Sequence, residues 1–258
     1  MPKPAVLITG ASSGIGFELA KIFAQRGFSL VLVSHDPQKL EGAKKNIGSS
    51  SSVIITIPKD ISQQGAARQL YQQVHNAGFS IDILVNNAGF GLHGVFAEQS
   101  LDRVQEMIQV NCSALTSLAH LFLPEMLKNK NGKILNVASV AAFFPGPLMA
   151  TYYASKAYVL NFSLALANEL RGSGVSVTTL CPGPTATEFE KTAGMQNSKL
   201  FKGNVMSAEK VAKIAYKGLM KDKRLVIPGI KNKLLVFAAR FLPRNSVVEL
   251  VRRLQERR

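Results

Sequence analysis

The chain has 258 residues, 47% hydrophobic and 18% charged, a balance that buries one sizeable core and excludes a disordered chain or a peptide hormone. Its 31 Lys and Arg against 16 Asp and Glu give a net charge of +15, and its two cysteines, Cys112 and Cys181, exclude a disulfide scaffold and point to a reducing, cytoplasmic setting. The opening Met1-Pro2-Lys3-Pro4 runs straight into Ala5-Val6-Leu7-Ile8-Thr9, so no secretory leader is expected ahead of the fold.

From residue 5 onward, short apolar runs alternate with segments of helical period, the pattern of a parallel sheet with crossover helices. Strands are predicted at 5–9, 29–34, 53–57, 83–85, 133–138, 175–181 and 224–227, with helices between them. The fold class expected is a doubly wound, Rossmann-like α/β sheet. Residues 1–230 are expected to form one domain of this class, and 231–258 a basic amphipathic extension. Segments 48–52 and 129–132 read as surface turns. Residues 185–207 form the longest stretch without clear period, and a loop of that length inside a compact domain usually serves function.

Directly after the first strand stands Thr9-Gly10-Ala11-Ser12-Ser13-Gly14-Ile15-Gly16, followed by an amphipathic segment at 17–25. Glycines let a backbone come close to a pyrophosphate, and a helix start offers that anion free amides and a positive dipole end. The spacing is G-x-x-x-G-x-G rather than G-x-G-x-x-G. The bland alternative is a tight turn that holds no ligand.

Of the five tyrosines only Tyr152 has a lysine four residues on, Lys156. On the helix predicted at 152–170, phenol and ammonium then share a face one turn apart. Taken alone, such a pair is more often a surface contact. Ser139 lies thirteen residues upstream of Tyr152, at the end of a predicted strand.

Together the glycine turn, Asn86-Asn87-Ala88-Gly89 after the fourth strand, Tyr152-Tyr153-Ala154-Ser155-Lys156 and Pro182-Gly183-Pro184-Thr185-Ala186-Thr187 resemble the short-chain dehydrogenase/reductase family. The resemblance spans roughly residues 4–228. It implies a nicotinamide cofactor held by Gly10, Ser12, Ser13, Gly14, Ile15 and Gly16, with Asn87, Ala88 and Gly89 at the adenosine ribose. Asp60, with Ile61 beside it, is directed at the adenine. Pro182, Gly183, Thr185 and Thr187 hold the carboxamide. At the end of the second strand, where an acid would select NAD, the chain has Ser34 and His35, which favours NADP over NAD. Ser13 in the glycine turn and Asp36 depart from the NADP pattern.

The resemblance also implies roles for Asn111, Ser139, Tyr152 and Lys156. Reducing a ketone by hydride leaves an oxygen that must gain a proton, and oxidising an alcohol needs a base stronger than a phenol of pKa near 10. Tyr152 is then the acid/base. A positive charge at Lys156, joined by the oxidised nicotinamide, is expected to depress the phenol by about three units, roughly 4 kcal/mol. Ser139 bonds the substrate oxygen, Lys156 also holds the nicotinamide ribose, and Asn111 anchors a proton-relaying water chain. Ser139, Val140, Phe144, Met149 and Tyr152, with Phe90 and Phe143, are the expected substrate wall. Being mostly apolar, they favour a fatty-acyl, steroid-like or retinoid-like carbonyl over a sugar. A homodimer or homotetramer is expected, paired through helices at 111–126 and 152–170. A dinucleotide-binding sensor or scaffold is the alternative.

The charge is unevenly spread, because residues 202–258 hold 15 of the cations and four acids, leaving +4 for the rest. A basic tail serves an acidic lipid surface, a nucleic acid, an acidic partner or an anionic substrate carrier, and charge alone does not choose among them; nucleic acid is not expected. Leu234-Leu235-Val236-Phe237-Ala238-Ala239 falls far short of the ~20 apolar residues of a membrane span. After Pro243, a Ser246 cap is expected to start a basic amphipathic helix carrying Val247, Leu250, Val251 and Leu254. Peripheral membrane contact, a lid, a subunit contact and simple packing on the domain all remain open for it. The four histidines lack metal-ligand spacing, so no metal is expected.

Overall fold

The structure, a computed structural model, describes residues 3–48, 53–195 and 205–256. Seven parallel strands form the central sheet: β1 (Lys3–Thr9), β2 (Ser29–Ser34), β3 (Ile54–Pro58), β4 (Phe79–Asn86), β5 (Gly132–Val137), β6 (Val175–Leu180) and β9 (Leu225–Val226). Their spatial order is β3-β2-β1-β4-β5-β6-β9. The chain winds outward from β1 to β3, then returns to β4 on the other side of β1. That reversal opens a crevice above the carboxyl ends of β1 and β4, where sheets of this type hold their ligands. All seven predicted strands are found. The fourth is longer than its apolar core suggests, because Ser80 and Asp82 interrupt the run in Phe79–Asn86; Ser80 still pairs with Pro4 of β1, and the register slips by one residue at Asp82 before resuming at Ile83.

Parallel strands covered on both faces read as continuous apolar runs, and here alternate residues feed two separate layers. Leu7, Val31, Leu84, Ile134 and Val177 pack against α3 (Ala66–Asn76), α5 (Leu115–Lys128) and α6 (Ala150–Glu169). Val6, Ile8, Leu30, Leu32, Val85 and Leu135 face α1 (Gly14–Gln25), α2 (Pro37–Ile47) and α8 (Ala208–Met220). Each fully buried aliphatic side chain contributes about 1.5–3 kcal/mol, so the two layers anchor the sheet and leave its carboxyl edge free for loops.

Helix boundaries depart from expectation in two informative places. The predicted helix at 111–126 begins as a π-helical segment, Gln109–Ala114, between α4 (Leu101–Ile108) and α5. Such a widened turn re-aims side chains and often marks a functional site; here it contains the buried Asn111. The tail helix α10 (Arg244–Gln255) starts after Pro243, so Ser246 lies inside it rather than capping it. Within the stretch expected to be irregular, Thr185–Ala186 (β7) pairs with Met206–Ser207 (β8), and Phe189–Thr192 forms the short α7; its residues 196–204 lie outside the described residues, as does most of the turn expected at 48–52. α9 (Ile230–Ala238) leads through a 3₁₀ turn, Ala239–Phe241, to α10. Among the described residues no helix is long and apolar enough to cross a membrane.

Candidate active site

The ends of β1 and β4 are tied together by a short polar clasp. The backbone amides of Asn87 and Ala88 donate to Thr9 Oγ1 at 3.0 and 3.1 Å, and Asn87 Nδ2 donates to the carbonyls of Thr9 and Gly10, each at 3.0 Å. This approach is why glycine is needed. A Cβ on Gly10 would lie 2.9 Å from Asn87 Nδ2, one on Gly16 would lie 2.3 Å from the Gly10 carbonyl oxygen, and Gly10 also has φ +63°. Gly16 therefore packs the start of α1 against the turn, its α-carbon facing Gly10 rather than the cleft. Ser13 caps α1 with no bond from its side chain, so the first-turn amides remain available to an anion.

At the adenosine end, Ser12 Oγ and Ser34 Oγ lie 2.9 Å apart, joining the glycine turn to the end of β2. Asp36 accepts from the Lys39 backbone amide at 3.0 Å and caps α2, and it does not line the cleft. Lys39 Nζ reaches Glu188 at 3.0 Å, and Lys39 and Lys59 both border the cleft. Burial raises the Asp60 carboxyl, but hydrogen bonds from Ser62 and Gln63 and the neighbouring His35 outweigh it and leave the group below its ordinary value.

The reacting end draws on three elements. Ser139 ends β5 and caps the 3₁₀ turn Val140–Phe143; its Oγ accepts from the Ala141 amide at 3.1 Å and donates to the Pro182 carbonyl at 3.4 Å. Tyr152 and Lys156 stand one turn apart on α6, both buried. Lys156 Nζ donates to the Val137 carbonyl at 2.9 Å and lies 5.8 Å from the Tyr152 ring centroid. Asn111 is 1% exposed and sits behind the cleft wall. It accepts from the Phe90 amide at 3.1 Å, and its Nδ2 lies 3.0 Å from both the Phe90 carbonyl and Ser155 Oγ.

Titration of the pair differs from expectation. Burial pushes the Tyr152 phenol well above its ordinary value; the Ser139 hydrogen bond pulls it partly back, and Tyr153 raises it further. The expected depression by Lys156 is not found in the protein alone, since the ammonium is directed at the Val137 carbonyl. Burial also pushes Lys156 down to about 8, with the Cys112 and Cys181 thiols acting in the opposite direction. The phenol is accordingly protonated at neutral pH.

These groups border one cleft of about 650 Å³. Every expected cofactor residue except Gly16 lines it, as does every expected substrate residue and Phe90. Phe143 does not; it turns into the cluster of Val159 and Leu160 on α6. The far wall comes from the tail, where Val247 and Val251 of α10 are buried in one cluster with Met149, Tyr152 and Tyr153. Gln255, 0% exposed, donates from Nε2 to Tyr153 Oη at 2.6 Å, while its carbonyl meets His93 Nε2 at 2.9 Å. The tail thus packs on its own domain as a wall of the cleft, and the predicted apolar stripe divides, with Leu250 and Leu254 at the rim. Nothing in the sequence marks Lys39, Lys59, Glu188 or Gln255 as cleft residues, because their partners are distant in the chain. The Val247 and Val251 period was the one available signal for the tail.

The residues fit a nicotinamide dinucleotide: uncapped amides and a glycine cradle at the crevice, hydroxyls and cations at one end, and a protonated phenol at the other. A model of the family described as short chain dehydrogenase matches residues 4–198. The chain belongs to that family and is an oxidoreductase of CH–OH groups. It is 33% identical to the serine 3-dehydrogenase of Agrobacterium fabrum, over 88% of this chain and 92% of that one. It is 32% identical to the ketoacyl reductase HetN of Nostoc sp., over 80% and 75% respectively. A solved short-chain dehydrogenase from Sphingobium yanoikuyae in complex with NADPH superposes with a TM-score of 0.81 at 32% identity, covering 92% of this chain and 94% of that chain.

Proposed function

We propose that the protein is an NADP-dependent carbonyl reductase for a hydrophobic ketone or aldehyde, with Tyr152 as proton donor. The observation that carries this reading is the buried Tyr152 phenol one turn from Lys156, with Ser139 beside it, at the end of a cleft lined by the glycine turn. The bound nicotinamide supplies hydride exchange with the substrate carbon. Tyr152 Oη delivers a proton to the oxygen that the hydride leaves charged. Ser139 Oγ bonds that oxygen as its charge develops. Lys156 holds the nicotinamide ribose, and Asn111, fixed between Phe90 and Ser155, anchors the route by which the phenol is reprotonated. Pro182, Gly183, Thr185 and Thr187 hold the carboxamide.

NADP is favoured by Ser12, Ser34, His35, Lys39 and Lys59 around the ribose end, where a hydroxyl rather than an acid ends the second strand. A hydrophobic substrate is favoured by Val140, Phe144, Met149, Phe189, Val247 and Val251 around Tyr152. Residues 1–230 are the catalytic domain, and 231–258 an extension that completes its cleft. The protein acts in the cytoplasm as a homodimer or homotetramer.

Fluorescence titration with NADPH and NADH, followed by a panel of medium-chain ketones, steroid ketones and sugars, tests the reading. NADPH is expected to bind more tightly, and Lys39→Ala to narrow the gap about tenfold, the effect of ~1.4 kcal/mol. Equal or tighter NADH binding would overturn the cofactor choice, and turnover confined to sugars the substrate class.

A further inference from the structure

The stretch from Ile230 to Leu242 turns an apolar face outward. Ile230 is 68% exposed, Leu234 60%, Phe237 58% and Phe241 73%, and the rings of Phe237 and Phe241 pack edge to face at 5.2 Å. Side chains this large are seldom left in water as a contiguous group unless something covers them. Lys231, Lys233, Arg240 and Arg244 are exposed among them. Between Lys223 and Val248 the chain carries six cations and no acid. Two further features bear on what covers this face. Leu235, Leu242, Leu250 and Leu254 are each more than a third exposed and also line the cleft, so the apolar face runs without a break into the cleft mouth. A second copy seated here by a two-fold axis would set this acid-free, cationic segment against itself, which charge repulsion opposes.

We propose that residues 230–242 are a docking surface for an anionic lipid bilayer, seated so that the mouth of the catalytic cleft opens onto the lipid. Phe237, Phe241, Leu234 and Ile230 enter the acyl boundary, as on an interfacial amphipathic helix, while the lysines and arginines meet acidic headgroups. An apolar substrate dissolved in the bilayer then reaches Tyr152 past Leu235, Leu242, Leu250 and Leu254. That last step rests on the carbonyl-reductase reading; the docking itself does not.

The test is co-sedimentation of the full chain with vesicles of phosphatidylcholine alone and with added phosphatidylglycerol, at low and high salt. Binding to the phosphatidylglycerol vesicles is expected, weakened at least tenfold by salt, by omission of the anionic lipid, by F237S/F241S and by K231E/K233E/R240E. All five positions are exposed, and NADPH titration with circular dichroism verifies that each variant stays folded. Because binding is read without turnover, a protein that docks but reduces nothing overturns the activity and leaves the docking standing. Equal binding to both vesicle types, or binding undiminished in F237S/F241S, would overturn the proposal. So would a dimer abolished by the same substitutions in a chain that ignores vesicles, since that assigns the face to a second copy.

Discussion

Lys156 is the residue whose chemistry the surrounding fold alters most. It is 5% exposed, and burial holds its pKa at about 8 against 10.5 for a free side chain. Between those values the unfolded chain holds the proton that the folded chain has lost, so this group makes stability rise with pH across that window. Below about 8 the folded protein bears the full cost of a buried ammonium, roughly 3 kcal/mol. Tyr152, raised rather than lowered, acts in the opposite sense and only above its free value of 10. Lys156→Met is therefore expected to be more stable than the parent by up to roughly 3 kcal/mol at neutral pH, with the difference closing as pH approaches 10. Urea unfolding across that range measures it; parallel profiles for parent and variant would show that the lysine is not desolvated. The sequence placed Tyr152 and Lys156 on one face because four-residue spacing is a property of the helix itself. It could not place the ammonium's partner, because the Val137 carbonyl belongs to a strand that only the fold brings near.

Elements whose signal lies within a few residues were the readable ones. Strands β1, β2 and β5 are largely apolar runs bounded by polar or glycine residues, and their positions follow from composition, whereas β6, Val175-Ser176-Val177-Thr178-Thr179-Leu180, is legible through its β-branched residues. β4 was underestimated because Ser80 and Asp82 break its apolar run, whereas β1 carries the strand through both with one slip of register at Asp82. The π-helical segment around Asn111 has no local signature; it arises where α4 and α5 join in one nearly continuous helix and the side chain must turn inward to Phe90 and Ser155. α10 shows the same division. Its apolar period was legible, whereas its fastening was not, since Tyr153 and Gln255 are 102 residues apart. Gln255→Ala removes the donor that pairs the Tyr153 hydroxyl and leaves a buried phenol unpaired, at a cost of about 1–3 kcal/mol. Hydrogen exchange of residues 244–255 is expected to quicken correspondingly while β1 and β4 keep their protection; unchanged exchange in α10 would show that Val247 and Val251 alone hold it.

At the scale of the molecule, the crevice follows from strand order. The reversal at β1 and β4 fixes where a dinucleotide can lie, and the α/β alternation in the sequence already implied it. What the sequence left open was the tail, because a basic amphipathic helix is compatible with several partners, and only its packing beside Tyr152 makes it part of the cleft. Assembly is argued at this scale too. The surface formed by the π-helical segment, α5 and α6 includes the exposed Leu127 and Tyr158, the latter bonded to Thr116 across two helices at 2.9 Å. Light scattering of the purified chain is expected to give two or four times the monomer mass of 27.9 kDa, and a monomer at micromolar concentration would refute it. The account's central claim, that one buried phenol supplies the proton accompanying hydride transfer in this cleft, is tested most directly by Tyr152→Phe in single-turnover oxidation of bound NADPH by a ketone the parent reduces. Turnover is expected to fall at least about a hundredfold with NADPH affinity unchanged; a rate equal to the parent's would contradict the claim.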